Sequence, residues 1–147
     1  MTVNSQISYQ QAAVRNASAV ELVIMLYDVL MRDLQQAIAA MQAGDIEGRT
    51  TRLKHALLAL EQLEGSLDME AGGQLATSLS RLYSVTRRQI IDAQVRQAPE
   101  ILTEMLALLL DVRGAWVEVS SASGPDKAAQ SPYRSVESEG PSFSWRG

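Results

Sequence analysis

The stretch SAVELVIMLYDVLMRDLQQAIAAM, residues 18–41, decides the fold class of this chain. Its apolar residues recur every three or four positions, the spacing that places side chains on one face of an α-helix. Ser18 and Glu21 form a capping box, in which each side chain accepts a hydrogen bond from a backbone N–H at the helix start. Gly44 is a natural helix end, and Asp45 can cap the next helix. These features predict a long amphipathic helix followed by a tight turn.

Three further segments have the same periodicity and predict helices at residues 46–67, 74–97 and 99–119. Leu75 in the third helix and Val119 in the fourth are expected to face inward. β-branched residues are scarce and never alternate with polar ones, so the sequence contains no strand signal. Four amphipathic helices joined by short loops predict an all-α protein, an antiparallel up-down four-helix bundle.

The chain divides by composition into three parts. Residues 1–17 are polar with isolated apolar positions and are interpreted as a short N-terminal cap segment, and residues 18–119 form the bundle. Residues 120–147 are rich in Ser, Pro and Gly and predict a disordered C-terminal tail. Three aromatic residues of the tail are either weakly adhesive or incidental: Tyr133, Phe143 and Trp145.

Composition excludes several classes of function. The formal net charge is −4, which disfavours nucleic acid as a partner because phosphate binding requires clustered Lys and Arg. The chain has no cysteine, and its N-terminus lacks a signal-peptide pattern. Its longest apolar stretch, residues 20–31, is interrupted by Glu21 and Asp28 and is too short to span a bilayer. We therefore expect a cytoplasmic protein without membrane insertion.

Catalytic and metal-binding patterns are missing from the sequence. His55 is the only histidine, and it is more typical of a structural or solvated residue than of a catalytic base. No E-x-x-H motif is present, so a di-metal site of the four-helix type is not expected. Asp28 and Asp33 are interpreted as solvated surface charges, and Gly72 as part of a turn. We predict that the chain is not an enzyme and uses no cofactor or metal.

The first and fourth helices carry more apolar residues than a bundle core requires. Val23 and Ile24 extend the stripe of the first helix, and three consecutive leucines, residues 108–110, extend that of the fourth. Only about a third of each helix surface faces the core of such a bundle. The surplus indicates a partner-binding surface, unless a fifth segment or a dimer covers it.

Several motifs, in order and spacing, resemble those of the flagellar export chaperone family FliS. YQQAAVRNASAVELVIMLYD at residues 9–28 is similar to the N-terminal signature of the family, and SLDMEAGGQLATSLSRLY at residues 66–83 to its second signature. RRQIIDA at residues 87–93 and RGAW at residues 113–116 fall where the family has related motifs. Ala19 and Val29 differ from the family pattern, which has proline and glycine at these positions.

The resemblance implies a secretion chaperone that binds the disordered C-terminal segment of flagellin in the cytoplasm. Such a chaperone prevents premature polymerisation and assists delivery to the flagellar export apparatus, where it meets an export gate protein. The N-terminal segment would cover part of the binding site through Ile7, Tyr9 and Val14. The partner-contact residues carried over from motif positions are Tyr9, Met25, Leu26, Tyr27, Leu67, Leu79 and Tyr83.

Two other interpretations remain open from the sequence. The bundle could be an interaction protein for another secreted or regulatory client. It could also be a metal or small-molecule enzyme on a four-helix scaffold, which the missing motifs disfavour. The expected oligomeric state is a monomer or a weak dimer.

Overall fold

The computed structural model of the chain describes residues 19–122 and 132–133. The helices are α1, Ala19–Ala43; α2, Ile46–Gly65; α3, Gly73–Arg96; and α4, Pro99–Ala122. Consecutive helices run antiparallel, so the predicted all-α up-down bundle is confirmed. The predicted cap segment and Ser18 lie outside the described residues. Within those residues, no helix is both long and apolar enough to cross a membrane.

The turn between α1 and α2 forms as the sequence predicts. Gly44 has a φ of +73°, a left-handed conformation that ends α1 without steric cost because glycine has no side chain. Asp45 then caps α2, its side chain accepting a hydrogen bond from the Gly48 backbone N–H at 2.9 Å. The first two helices are therefore joined by a turn with a defined geometry.

Each helix packs against two neighbours. α1 makes extensive contacts with α2 and α4, and α3 makes smaller ones with the same two helices. α1 and α3 consequently occupy diagonal positions of the bundle. The core between the helices is filled mainly by leucines that are fully buried: Leu30, Leu34, Leu53, Leu60, Leu63, Leu102 and Leu109. Val29, at a position where the family pattern has glycine, lies partly buried against this core.

Two positions expected to face the core lie at its edge instead. Leu75 is 50% exposed and Val119 is 38% exposed. Successive residues of an α-helix are rotated by about 100° around its axis. Because the buried Ala76 points toward the core, the neighbouring Leu75 lies at the side of the helix. Val119 follows the buried Trp116 by three residues and is displaced from the inward direction in the same way. Both expectations were therefore wrong, and Leu75 and Val119 add apolar surface at the edge of the bundle.

Contacts between charged and polar side chains connect neighbouring helices. The Arg113 guanidinium of α4 donates to Asp28 of α1, with Nε 2.5 Å from Oδ1. Arg87 of α3 pairs with Glu64 of α2. Asp33 of α1 is contacted by two groups on α2, the His55 ring at 2.5 Å and the Arg52 guanidinium at 3.6 Å. These contacts establish which side of each helix faces which neighbour.

Candidate functional site

Ion pairs and helix geometry identify the sides of α3 and α4 that face each other. Arg87 marks the side of α3 next to α2, and Arg113 marks the side of α4 next to α1. Since α3 also packs against α4, the side of each helix away from its arginine lies along the boundary between them. Residues located about 100–200° around the helix axis from these arginines, counted through the buried face of each helix, therefore border the α3–α4 boundary.

Six of the apolar residues that satisfy this condition and remain at least partly accessible are taken as the candidate surface. We call them the α3–α4 strip, and they are Leu75, Leu82 and Val85 of α3 with Leu108, Val112 and Val119 of α4. Val85 and Leu108 are each 42% exposed. An apolar strip contributed by two adjacent helices is the kind of surface that receives the apolar face of a partner helix. The strip is thus the candidate binding surface of the bundle.

Other exposed apolar residues are arranged differently. Leu110 and Val117 of α4 lie on the side next to α1, but the α1 residues that face that side, such as Ile24 and Met31, are partly buried against the core. Leu58 lies on the outer face of α2. The α3–α4 boundary is therefore the place where accessible apolar side chains come from both helices.

A cluster of three tyrosines lies inside the bundle near one end of this strip. The Tyr27 hydroxyl of α1 and the Tyr83 hydroxyl of α3 are 2.9 Å apart and share a hydrogen bond, so they connect the two diagonal helices. Tyr83 is also hydrogen-bonded to the Tyr133 hydroxyl of the C-terminal tail. The Tyr133 ring packs edge-to-face on Trp116 of α4, with ring centroids 5.6 Å apart. A chain of hydroxyl groups thus connects α1, α3 and the tail within an apolar core, and α4 packs against it through Trp116.

Burial raises the pKa of all three phenols above the ordinary value of tyrosine. For Tyr83 the neighbouring Tyr133 and Tyr27 raise the pKa further, because a second negative charge nearby would be unfavourable. For Tyr27 the hydrogen bond shared with Tyr83 opposes the effect of burial without cancelling it. The cluster is therefore neutral at physiological pH and contributes hydrogen bonds rather than acid–base chemistry.

The raised pKa values predict a free energy of unfolding that is constant near neutral pH and decreases in alkaline solution. Above about pH 10 the unfolded chain releases phenolic protons that the folded chain retains, so the free energy of unfolding falls as pH rises. The slope reaches at most about 1.4 kcal/mol per pH unit for each buried phenol. Urea unfolding at several pH values above and below about pH 10 measures how steeply the free energy of unfolding falls with pH. Tyr133→Phe should give a shallower decline than the wild type, and identical slopes would contradict the burial of this phenol.

The structure separates the predicted partner-contact residues into three groups. Tyr9, together with the cap residues Ile7 and Val14, lies outside the described residues. Met25 is 58% exposed on α1. The others are buried in this conformation and belong to the core or to the tyrosine cluster: Leu26, Tyr27, Leu67, Leu79 and Tyr83.

Sequence reasoning did not identify the tail residue Tyr133 as part of this site. Its only local signal is the dipeptide Pro132-Tyr133 within a polar, non-periodic segment, and the contacts of these two residues are long-range in sequence. Leu108 was noted only as part of the leucine run at residues 108–110, and Val85 was not assigned to a binding surface. Their position on the strip depends on how α3 and α4 are rotated, which the ion pairs to neighbouring helices define.

The charged residues considered for chemistry are structural contacts. Asp33 is buried and paired with His55 and Arg52, so its interpretation as a solvated surface charge was wrong. The reason is that Asp33 lies on the side of α1 that packs against α2, where the His55 ring and the Arg52 guanidinium reach it. Among the described residues, no group of three or more His, Asp or Glu side chains is arranged to hold a metal ion.

Comparison with known proteins gives a consistent result. The sequence profile of a family described as "Flagellar protein FliS" matches residues 2–123. The chain is 32% identical over 111 residues to the flagellar secretion chaperone FliS of Salmonella typhimurium, covering 75% of this chain and 82% of that protein. It is also 32% identical over 119 residues to the chaperone of the same name from Vibrio cholerae, covering 81% of this chain and 82% of that protein.

A third relative extends the comparison. The flagellar secretion chaperone FliSB of Pseudomonas aeruginosa is 32% identical over 116 residues, which cover 76% of this chain and 92% of that protein. The three relatives therefore match along most of their own length as well as most of this chain.

Proposed function

Because this chain belongs to the FliS family of flagellar secretion chaperones, we propose that it binds the disordered C-terminal segment of flagellin. The α3–α4 strip is the observation that carries this proposal. An amphipathic segment can place apolar side chains along the strip at helical spacing and become helical as it binds. A large apolar contact is required because the segment loses conformational entropy on folding.

The proposed consequence of binding is that the client cannot polymerise before export. A masked C-terminal segment is unable to pack with other flagellin subunits, and the complex can then be delivered to the export apparatus. We place this activity in the cytoplasm, with an export gate protein as the second partner. The segment containing Ile7, Tyr9 and Val14 is proposed to cover part of the binding surface when no client is bound.

The predicted partner contacts fit this proposal in two ways. Met25 is accessible for direct contact, as its exposed fraction of 58% allows. Leu67, Leu79 and Tyr83 are buried, so a client reaches them only if the covering groups move. We therefore propose the α3–α4 strip as the first contact surface and the buried residues as contacts formed during a later rearrangement.

Calorimetric titration tests the proposal directly. The full chain is expected to bind a peptide of the flagellin C-terminal segment in a one-to-one complex, with the negative heat-capacity change that accompanies apolar burial. The matched controls are a peptide of identical composition in scrambled order and flagellin lacking its C-terminal segment. Equal affinity for the scrambled peptide, or no binding of the native one, would contradict the assignment and favour a different secreted or regulatory client.

A further inference from the structure

The described part of the C-terminal tail is attached to the loop between α2 and α3. The Asp68 backbone N–H donates a hydrogen bond to the Pro132 carbonyl at 2.8 Å. Leu67 and Tyr133 form an isolated antiparallel bridge. The tail is therefore held in the same way as an extended peptide that adds to a strand edge, through its backbone, and the bridge sets the direction of the Tyr133 side chain.

The Tyr133 ring fills a pocket that we call the tail pocket, lined by Leu67, Tyr83 and Trp116. Only 5% of Tyr133 is exposed, and Pro132 is fully buried. The absence of a side chain on Gly72 is part of the fit, because a Cβ there would lie 3.0 Å from the Pro132 Cα and closer still to Ala76. The pocket thus has a defined shape, a backbone donor and a hydroxyl partner, which together recognise an extended segment carrying tyrosine.

The tail pocket adjoins the α3–α4 strip. Val119 of the strip lies one turn beyond Trp116, which lines the pocket. Two of the pocket residues, Leu67 and Tyr83, are also partner contacts predicted from the sequence. The tail consequently covers apolar surface that continues the strip toward the end of the bundle.

We propose that Pro132 and Tyr133 act as an intramolecular plug that occupies the tail pocket and is displaced when a client segment binds. The proposal rests on the proposed chaperone function for the identity of the competing segment. The plug consists of two buried residues held by the backbone hydrogen bond to Asp68 and the hydroxyl hydrogen bond to Tyr83, whereas a client helix along the strip would contact six apolar side chains. The client therefore makes the larger contact. The apparent affinity for the client is its intrinsic affinity multiplied by the fraction of molecules in which the pocket is open.

Amide hydrogen exchange in the full chain tests whether the plug is docked. The Asp68 amide is bonded to the Pro132 carbonyl, so Tyr133→Ala should accelerate its exchange at least about tenfold as the plug leaves. The Asp45 amide, which donates to the Ala40 carbonyl at 2.8 Å in the turn between α1 and α2, is the internal reference and should change little. Tyr133→Phe keeps the ring and should show an intermediate effect, and Phe143→Ala, which removes another aromatic residue of the tail, should have none.

Titration with the flagellin C-terminal peptide tests whether the plug competes. If about nine in ten molecules are plugged, Tyr133→Ala should bind the peptide about tenfold more tightly than the wild type. Tyr133→Phe should lie between the two, and Phe143→Ala should match the wild type. Circular dichroism of each variant establishes that the bundle remains folded.

The two measurements separate the possible failures. Unchanged Asp68 exchange in Tyr133→Ala would overturn the docked plug. Accelerated exchange with unchanged peptide affinity would show a docked tail that does not compete, and this also overturns the proposal. Accelerated exchange with no peptide binding by any variant would instead overturn the proposed chaperone function and the competition that depends on it.

Discussion

Leu108→Glu is expected to weaken the proposed binding of the flagellin C-terminal segment by at least about 100-fold, or about 2.7 kcal/mol. Leu108 lies on the α3–α4 strip and is 42% exposed, so it is available to a partner without rearrangement of the core. A glutamate at this position would be buried under an apolar client helix without a compensating cation. The free chain should remain stable, since the position is partly exposed and glutamate is a good helix former.

Leu110→Glu is the matched control for this result. Leu110 belongs to the same helix and is 55% exposed, but it lies on the side of α4 that faces α1. The same substitution there should change affinity by less than about threefold, because the proposed client does not cover this position and the glutamate keeps its hydration when the client binds. Isothermal titration of both variants measures the difference. Equal losses would show that the client does not recognise the α3–α4 strip.

Tyr83→Ala should destabilise the bundle by about 4 kcal/mol, a large part of the 5–15 kcal/mol typical of a domain. Tyr83 is fully buried and its hydroxyl connects Tyr27 with Tyr133. Alanine leaves a cavity between α1 and α3 and removes that connection. Tyr83→Phe keeps the ring and removes only the bridging hydroxyl, so it should cost about 1–3 kcal/mol.

Val85→Ala provides a control on the same helix. Val85 is 42% exposed and lies on the strip, so its truncation should change the free energy of unfolding by less than about 0.5 kcal/mol. Urea unfolding of the three variants gives the comparison, provided that their m-values agree. A loss below about 1 kcal/mol in Tyr83→Ala would mean that the core does not depend on the tyrosine cluster.

The helices and turns of this protein can be predicted because their signals are local. Residues 18–41 place apolar side chains on one face by a three- and four-residue spacing, and Gly44 and Asp45 specify the following turn through backbone conformation and capping. The rotation of each helix within the bundle is not local. Leu75 and Val119 fit the inward periodicity of their helices, yet a rotation set by tertiary packing moves both to the edge.

The candidate site was only partly predictable for the same reason. A surplus of apolar residues can be counted from composition, but its location depends on pairs such as Glu64 with Arg87 and Asp28 with Arg113, which come from different helices. The location of Tyr133 is harder still to predict, since this residue follows a polar segment without periodicity and contacts Tyr83, which lies 50 positions earlier in the sequence. Its partners follow from the assembled bundle and not from any neighbouring residue.

The extensive contact between α1 and α4 has a consequence for synthesis of the chain on the ribosome. α1 and α2 can pair as a hairpin once Gly65 has been translated, but α4 is complete only at Ala122, 57 positions later. At 5–20 residues per second this interval lasts about 3–11 s. During that time α4 is not yet available to pack against α1. The side of α1 that later contacts α4 is exposed, and it can bind molecular chaperones of the translation machinery or aggregate.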